Sequence, residues 1–459
     1  MSDRPTVLYI CHNHPSVRPG GAEAYALELH RHVDAGDDFD SIFLAKGGPP
    51  LTTAGRVHLG TYISPIGGRA NEYFCFTEDW NYDWTFGTIH DDKRLYTKHL
   101  RAFLRAVKPD IVHLQHTMFF GYDLLREIKN SVPAAPIIYT LHEFMPICQR
   151  QGQMVRMPDN EPCMEESPRR CHECYPDISQ QTFFMRKRFI QSHLSLVDMF
   201  IAPSQFLADR YIDWGLPEEK VKVEEYGRTS PTGQAVDGQR KCRDRFGFFG
   251  QMTPFKGLHV FLEAIAALHG HDDEHTDPLL RALELAAGTT SGTPTAERLG
   301  PKPHGRVHGA NLDLQPGNFQ NQISDLLEQT KDAVTFVGQY DHLDLAKHMS
   351  QVDWVVIPSI WWENSPLVIQ EAFHFGRPVI CSDIGGMAEK VEHRVNGLHF
   401  RADDPSSLAS IMKEAMETPG LWEQLREGIR PLYAMEDHVK ELTSLYRELQ
   451  RTEAPGHAG

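Results

Sequence analysis

Glu363 and Glu371 form an E-x7-E pair inside Asp353–Glu389, DWVVIPSIWWENSPLVIQEAFHFGRPVICSDIGGMAE. Spacing alone says little, and two solvated glutamates on a surface helix are the plain alternative. The context is more specific. Between the pair, Ser365 is a favoured helix cap and Pro366 a favoured first helical residue. Glu371 then lies two turns in, roughly 8 Å from the helix start. Free N–H groups around Pro366–Val368 would make an anion site aided by the helix dipole. A diphosphate there has Glu363 on one side and Glu371 on the other. Carboxylates accept hydrogen bonds from hydroxyls, so a sugar and a ribose would satisfy both.

Three further groups carry chemistry. Lys256, in Gly250–Gly257 (GQMTPFKG), stands before a helix, where it is a phosphate partner or a solvated lysine. His142 follows the apolar run Ile137–Leu141, where strand ends collect ligands; it either bonds locally to backbone or donates to a substrate. Cys148, Cys163, Cys171 and Cys174 crowd one polar, Pro-rich segment with a single C-x-x-C, which suggests one structural zinc, with reduced thiols as the alternative.

The elements that must position these groups read as follows. Trp354–Ile357 is a buried parallel strand, Val368, Ala372 and Phe375 recur at helical spacing, and Val379–Cys381 starts the next strand before the Gly385-Gly386 turn. Phe246–Phe249 is a strand followed by a helix over Leu258–Leu268. In the first half, Val7–Cys11 is a strand and Gly20-Gly21 opens a helix to about Val33, with Ala22, Ala26, Leu29 and Val33 as its apolar face. Two glycines there let backbone approach a ligand, although G-x-G-x-x-G is absent. Asp38-Phe39-Asp40 matches D-x-D but precedes a strand, and reads as a solvated turn. Residues 47–95 read as loops and short strands, with Trp80, Tyr82, Trp84 and Phe86 alternating as in a strand. Asp110–Gln115 is a strand with His113 and His116 as structural or cleft-lining residues. Gln180–Val197 reads as a helix whose Arg186-Lys187-Arg188 run forms a solvated face. Arg228–Gln239 reads as a linker, and Glu436–Gln450 as a terminal helix.

The chain has 459 residues, 41% hydrophobic and 24% charged, with a formal net charge of −16. The length fits two domains, and the charge argues against nucleic acid as a partner. No apolar run approaches the ~20 residues of a membrane-spanning helix. MSDRPTVLYIC has no secretory h-region, so a cytoplasmic location is expected, with a peripheral contact at the inner membrane face left open. Thiols or metal ligands are then expected in place of disulfides.

Glu363, Glu371 and Asp383–Glu389, in this strand–helix context, resemble the signature of glycosyltransferase family 4, retaining enzymes of the GT-B fold. The resemblance covers nearly the whole chain. It implies α/β architecture: two Rossmann-like domains facing a cleft. Residues 1–235 would form the acceptor domain with a Cys-rich insertion at 148–174. Residues 240–430 would form the donor domain with a poorly ordered insertion at 270–305. Residues 431–459 would return to the first domain. It implies transfer of a sugar from a nucleotide diphosphate donor, of UDP or GDP type, to a hydroxyl of a saccharide or lipid-linked acceptor, in polysaccharide or glycoconjugate biosynthesis. Lys256 and the amides of Asn364, Ser365, Leu367 and Val368, beside Pro366, would hold the diphosphate. Glu371 would hold the ribose. Glu363, with the backbone of Gly385, Gly386 and Met387, would hold the sugar. Gly20 and Gly21 would approach the donor phosphates and His142 would face the sugar. No catalytic cofactor is implied. Two departures stand out: Glu143 follows His142 where relatives often carry Asp, and Gln251 replaces the usual Arg of G-R-x4-K-G. The alternatives are a phosphorylase or sucrose-synthase-like enzyme on the same fold, a zinc hydrolase, and a silent sugar-binding module. Four cysteines would close a zinc sphere, which disfavours the hydrolase.

Overall fold

A computed structural model of the chain describes residues 4–17, 20–47, 62–76, 82–89, 95–231, 233, 242–274 and 302–453. It divides into two compact units, Met1–Thr229 with Tyr433–Gly459, and Ser230–Leu432.

The first unit is built on β1 (Thr6–Cys11), β2 (Asp40–Gly47), β3 (Tyr62–Pro65) and β4 (Glu72–Phe76), a small hairpin β5 (Tyr82–Asp83) and β6 (Thr88–Ile89), then β7 (Ile111–Leu114), β8 (Ile137–Thr140), β9 (Met199–Ala202) and β10 (Val221–Val223). Its main sheet runs β10-β9-β8-β7-β1-β2-β4-β3, parallel except where β3 meets β4. IVHL and IIYT are buried throughout, as expected of parallel strands covered on both faces. The helix Gly21–Ala35 buries Ala26, Leu29 and Val33 as its spacing predicts; Ala22 is only half-buried, and Glu23 and Tyr25 are buried as well. The terminal helix Met435–Glu453 packs in this unit: Tyr446 Oη meets Tyr9 Oη at 3.0 Å and His113 Nδ1 at 2.6 Å.

Several expectations are corrected here. Trp84–Gly87 is a turn, so the aromatic alternation is not a strand; Trp80 lies outside the described residues. The Cys-rich segment is not all loop, since Ser167 caps a helix over Pro168–Cys174 by accepting from the Arg170 N–H. Arg186 is buried and donates to the carbonyls of Met145, Pro146 and Ile147 and to Gln149 Oε1, so it ties the loop after β8 in place. Asp38 and Asp40 are ion-paired, with Arg447 and Arg4.

The second unit holds β11 (Arg245–Phe249), β12 (His304–His308), β13 (Val334–Gly338), β14 (Trp354–Ile357), β15 (Val379–Ser382) and β16 (Gly397–Phe400). They form one parallel sheet, β13-β12-β11-β14-β15-β16. Alternation along β14 feeds two cores. Trp354 and Val356 pack with Phe246, Phe261 and Met412 on one face. Val355 and Ile357 pack with Ile369, Ala372 and Met387 on the other. The expected insertion at 270–305 is too wide: the helix Leu258–Glu274 and β12 both run into it. Its core, 275–301, lies outside the described residues.

Candidate active site

In the second unit the loop after β14 gathers the chemistry. Gly257 has φ +69°, and a Cβ there would stand 1.8 Å from the Pro358 carbonyl oxygen, so only glycine lets this turn close on that loop. The Ile360 N–H bonds the Phe255 carbonyl at 2.9 Å across the same contact. Lys256 is thereby delivered to Glu363, Nζ to Oε1, at 2.6 Å. Ser359 Oγ and Trp361 Nε1 each donate to the same oxygen at 2.8 Å. Burial pushes the Glu363 carboxyl up, but the Lys256 charge and these donors outweigh it and hold it below the ordinary value. Glu363 is therefore a buried, ionised carboxylate.

On its other side, Gly386 N–H bonds the Glu363 carbonyl at 2.6 Å, and a Cβ on Gly386 would stand 1.6 Å from the Asn364 carbonyl oxygen. Gly385 has φ +62°. The Gly-Gly turn is thus clamped against Glu363-Asn364, which brings these four residues together. The Met387 side chain is fully buried in the core, which leaves its backbone as the part expected at the sugar. The helix start is also corrected. Its eight residues run Leu367–His374, and Pro366 is the cap position, at φ −62° and ψ 118°, rather than the first helical residue. Pro366 has no N–H, so donors at this end come from the residues after it.

Glu371 is buried on that helix and meets His342 Nε2 at 3.0 Å through Oε1. Tyr340 stands nearby; burial first, then the Glu371 charge, raises its phenol. The two glutamates thus have different partners, a lysine for one and a histidine for the other. Gln251 is exposed after β11.

In the first unit the strand ends carry a second cluster. His12 follows β1 and meets Glu23 at 2.9 Å. Gly20, extended at φ −156°, precedes the helix as its cap, and Gly21 is its exposed first residue. His116 follows β7 and meets Glu143 at 3.2 Å; the His12 and His116 rings are 4.5 Å apart. His142 follows β8 and its ring bonds two side chains: Nε2 with Gln115 Oε1 at 3.0 Å, Nδ1 with Tyr226 Oη at 2.5 Å. Burial drives its pKa well down, and His116 and His12 add to this. A neutral ring with its proton on Nε2, donating to Gln115 and accepting from Tyr226, satisfies both contacts.

Cys148, Cys163, Cys171 and Cys174 line one cavity of about 20 Å³, with Glu166 and Arg170 also in its wall, and all four are free thiols. Among the described residues, however, no three His, Cys, Asp or Glu side chains stand in an array that could hold a metal ion. Cys163 Sγ donates to the Glu165 carbonyl and Cys174 Sγ accepts from the Met157 N–H, at 3.4 and 3.5 Å. The donor set suits zinc, but these thiols would have to turn inward to bind it.

The family profile described as Glycosyltransferase Family 4 matches residues 19–224, and the one described as Glycosyl transferases group 1 matches 306–418. The chain belongs to glycosyltransferase family 4. The D-inositol 3-phosphate glycosyltransferase of Jonesia denitrificans is 31% identical over 183 residues, 40% of this chain and 37% of that one. The aligned stretch thus spans little more than a third of that relative. An uncharacterized 41.2 kDa protein in the cps region of Klebsiella pneumoniae is 23% identical over 76% of this chain and 80% of its own. Among solved structures, HepE of Anabaena in complex with UDP and glucose superposes with TM-score 0.62 at 15% identity, covering 97% of this chain and all of that one. The sucrose-phosphate synthase of Thermosynechococcus elongatus gives TM-score 0.67 at 17% identity, covering 98% of this chain and 100% of that one. These likenesses establish the GT-B fold, with two Rossmann-like sheets.

His342, Ser359 and Trp361, which serve the glutamate pair, were not among the expected site residues, and neither were His12, Gln115 and Tyr226. One signal for the latter was available. His12, His116 and His142 each follow a strand end, and the argument used for His142 applies equally to the other two.

Proposed function

We propose that this family 4 chain is a retaining glycosyltransferase that moves a sugar from a nucleotide diphosphate to an acceptor hydroxyl, with the donor held by the second unit. The observation that carries the reading is the ion pair between half-buried Lys256 and buried Glu363, beside the helix bearing Glu371. Lys256 turns from Glu363 toward the diphosphate, and the amides at the start of Leu367–His374 face the same charge. Glu371, positioned by His342, accepts from the ribose hydroxyls. Glu363, keeping Ser359 and Trp361, accepts from the donor sugar, with Gly385-Gly386 clamped alongside. The bond from the anomeric carbon to the phosphate oxygen breaks and the diphosphate leaves with the electron pair. The acceptor oxygen bonds that carbon on the same face, and its proton passes to the departing phosphate oxygen. His142, neutral in its Nε2–H form, is proposed to act on the transferred sugar.

Support for the donor class comes from the fold neighbour bound to UDP and glucose. The relative in a cps region supports a place in polysaccharide or glycoconjugate biosynthesis. Among the described residues no helix is long and apolar enough to cross a membrane; a cytoplasmic protein with at most peripheral membrane contact remains the proposed setting. We propose that the chemistry needs no added divalent metal, because Lys256 and backbone amides carry the leaving-group charge. A structural zinc on Cys148, Cys163, Cys171 and Cys174 is proposed as a staple for the loop. The deciding experiment is a thermal-shift and calorimetric screen with UDP, GDP and ADP and their sugars. A ligand specific to the native state raises the melting temperature, and Glu371→Ala should abolish that rise. No response to any nucleotide would defeat the reading.

A further inference from the structure

The first unit has an aromatic wall that the reading above leaves unused. Trp84, in the β5–β6 turn, is 43% exposed, unusual for so large a ring. It meets Tyr82 at 5.0 Å and Phe119 at 6.1 Å between ring centroids, and Phe119 meets His12 at 6.5 Å. The wall therefore runs from Trp84 through Phe119 to the His12–Glu23 and His116–Glu143 pairs at the ends of β1 and β7.

This arrangement is built, not incidental. Phe119 has φ +65°, a left-handed conformation that is costly for a bulky side chain and persists only where its surroundings enforce it. The turn after β7 enforces it: Thr117 O accepts from the N–H groups of Phe120 at 3.1 Å and Gly121 at 2.8 Å, while His116 Nδ1 accepts from Met118 N–H at 2.9 Å. The hairpin is welded to the same turn. Gly87 and Gly121 have φ +62° and +78°, and a Cβ on Gly121 would stand 3.2 Å from the Gly87 carbonyl oxygen. Tyr122 N–H bonds that oxygen at 2.9 Å. Asp83 Oδ1 holds the turn by accepting from Thr85 N–H at 2.8 Å. At the same strand end, Gln115 is fully buried, yet its side-chain Nε2 has no hydrogen-bond partner among the described residues. Such a donor is rare unless a ligand or water completes it.

We propose that this wall is the acceptor subsite and that it takes a hydroxylated six-membered ring, a pyranose or a cyclitol. The inference rests on the glycosyltransferase reading. The C–H face of such a ring is weakly positive and suits the negative face of Trp84 and Phe119. Its hydroxyl edge meets Glu143, whose side chain is 26% exposed, and the His12–Glu23 pair. An alkyl chain would gain from the aromatic part but would desolvate two carboxylates and two imidazoles at the other end.

The test uses the full chain labelled with 5-fluorotryptophan, with Trp84→Phe assigning the Trp84 resonance. Methyl α-D-glucopyranoside, methyl α-D-galactopyranoside and myo-inositol are titrated to about 100 mM, a range that reports millimolar binding. At least one should shift the Trp84 signal saturably. Phe119→Ala should abolish the shift, and Glu143→Gln should weaken it at least about threefold, which corresponds to ~0.7 kcal/mol, with an unchanged melting temperature. Should Phe119→Ala fail to fold, Trp84→Ala, at an exposed position, should abolish saturation transfer to the same ring. The proposal is overturned if no ring shifts Trp84 while calorimetry shows nucleotide binding intact, or if phosphatidylglycerol vesicles shift it and the rings do not. If a ring shifts Trp84 but no nucleotide binds, the subsite stands and the donor reading falls.

Discussion

Replacing Lys256 by Met keeps the aliphatic stem and removes the charge, which leaves the buried Glu363 carboxylate accepting from Ser359 and Trp361. Breaking a buried ion pair costs about 3–5 kcal/mol. Two neutral donors remain and Lys256 is 29% exposed, so about 1–3 kcal/mol is expected at pH 7. The pH dependence has a definite sign. In the parent, the Glu363 carboxyl is held below its unfolded value. The pair's stabilisation is therefore full above the unfolded carboxylate pKa of about 4.3 and is lost as pH falls through the folded value. In Lys256→Met, burial acts against only two neutral donors, so the folded pKa rises and the carboxylate becomes a liability at neutral pH. Urea denaturation from pH 7 down to about 4 should show the stability gap between the proteins narrowing. In turnover, a charge-assisted bond to the diphosphate is worth about 1.5–3 kcal/mol, or roughly 10- to 150-fold in kcat/KM. Gln251 is exposed and brings no charge, so Gln251→Ala should cost about 2- to 12-fold at most. Equal losses in the two variants, or a gap in stability that does not change with pH, would refute this account of Lys256.

The remaining predictions concern the other carboxylate, metals and the thiols. Glu371→Ala should weaken nucleoside diphosphate binding at least tenfold by calorimetry with the fold intact, and His342→Ala should reproduce part of that loss. Glu363→Ala should reduce kcat more than it weakens binding of the nucleotide alone; unchanged kinetics would contradict its place at the sugar. Activity should survive EDTA, so loss restored by magnesium or manganese would count against lysine and amides as the sole charge partners. Protein purified without a metal-binding tag should contain about one zinc per chain, and Cys171→Ser should loosen residues 148–174 while both sheets survive. A metal-free, fully active protein with four titrating thiols would refute the staple.

Elements with local punctuation were legible in the sequence. In Gln205–Trp214, Ser204 caps the helix by accepting from the Leu207 N–H and Gly215 ends it at φ +117°. β14 matches because a β-branched apolar run in this register can only be buried. The start at Pro366 was misplaced by one residue. Proline's fixed φ suits a first helical position, but here ψ is extended. The preceding loop is held from a distance by the Gly385-Gly386 turn, which is a tertiary constraint that local signals do not report. Arg186 misled in the same way. A basic run normally reads as solvated, and nothing local shows that three loop carbonyls and a glutamine side chain wait for one guanidinium.

The same distinction separates which site residues could be recognised. Glu363 and Glu371 sit on one βαβ unit, so their relation is written in spacing. Their partners are not: Lys256 is 107 residues from Glu363, and His342 is 29 from Glu371. What joins Lys256 to Glu363 is a glycine whose missing Cβ lets one turn touch another, and the pairing of Gly87 with Gly121 does the same in the first unit. In both places the glycine is the visible mark of a backbone contact, while the side chain it delivers, Lys256 or Trp84, is the one that meets the ligand in the proposed mechanism. Replacing Gly257 by alanine should therefore cost nucleotide binding through the position of Lys256. The added methyl meets a main-chain carbonyl, an obstacle that no rotamer change can relieve. A Gly257→Ala protein that folds and binds nucleotide like the parent would show that Lys256 reaches its place by another route.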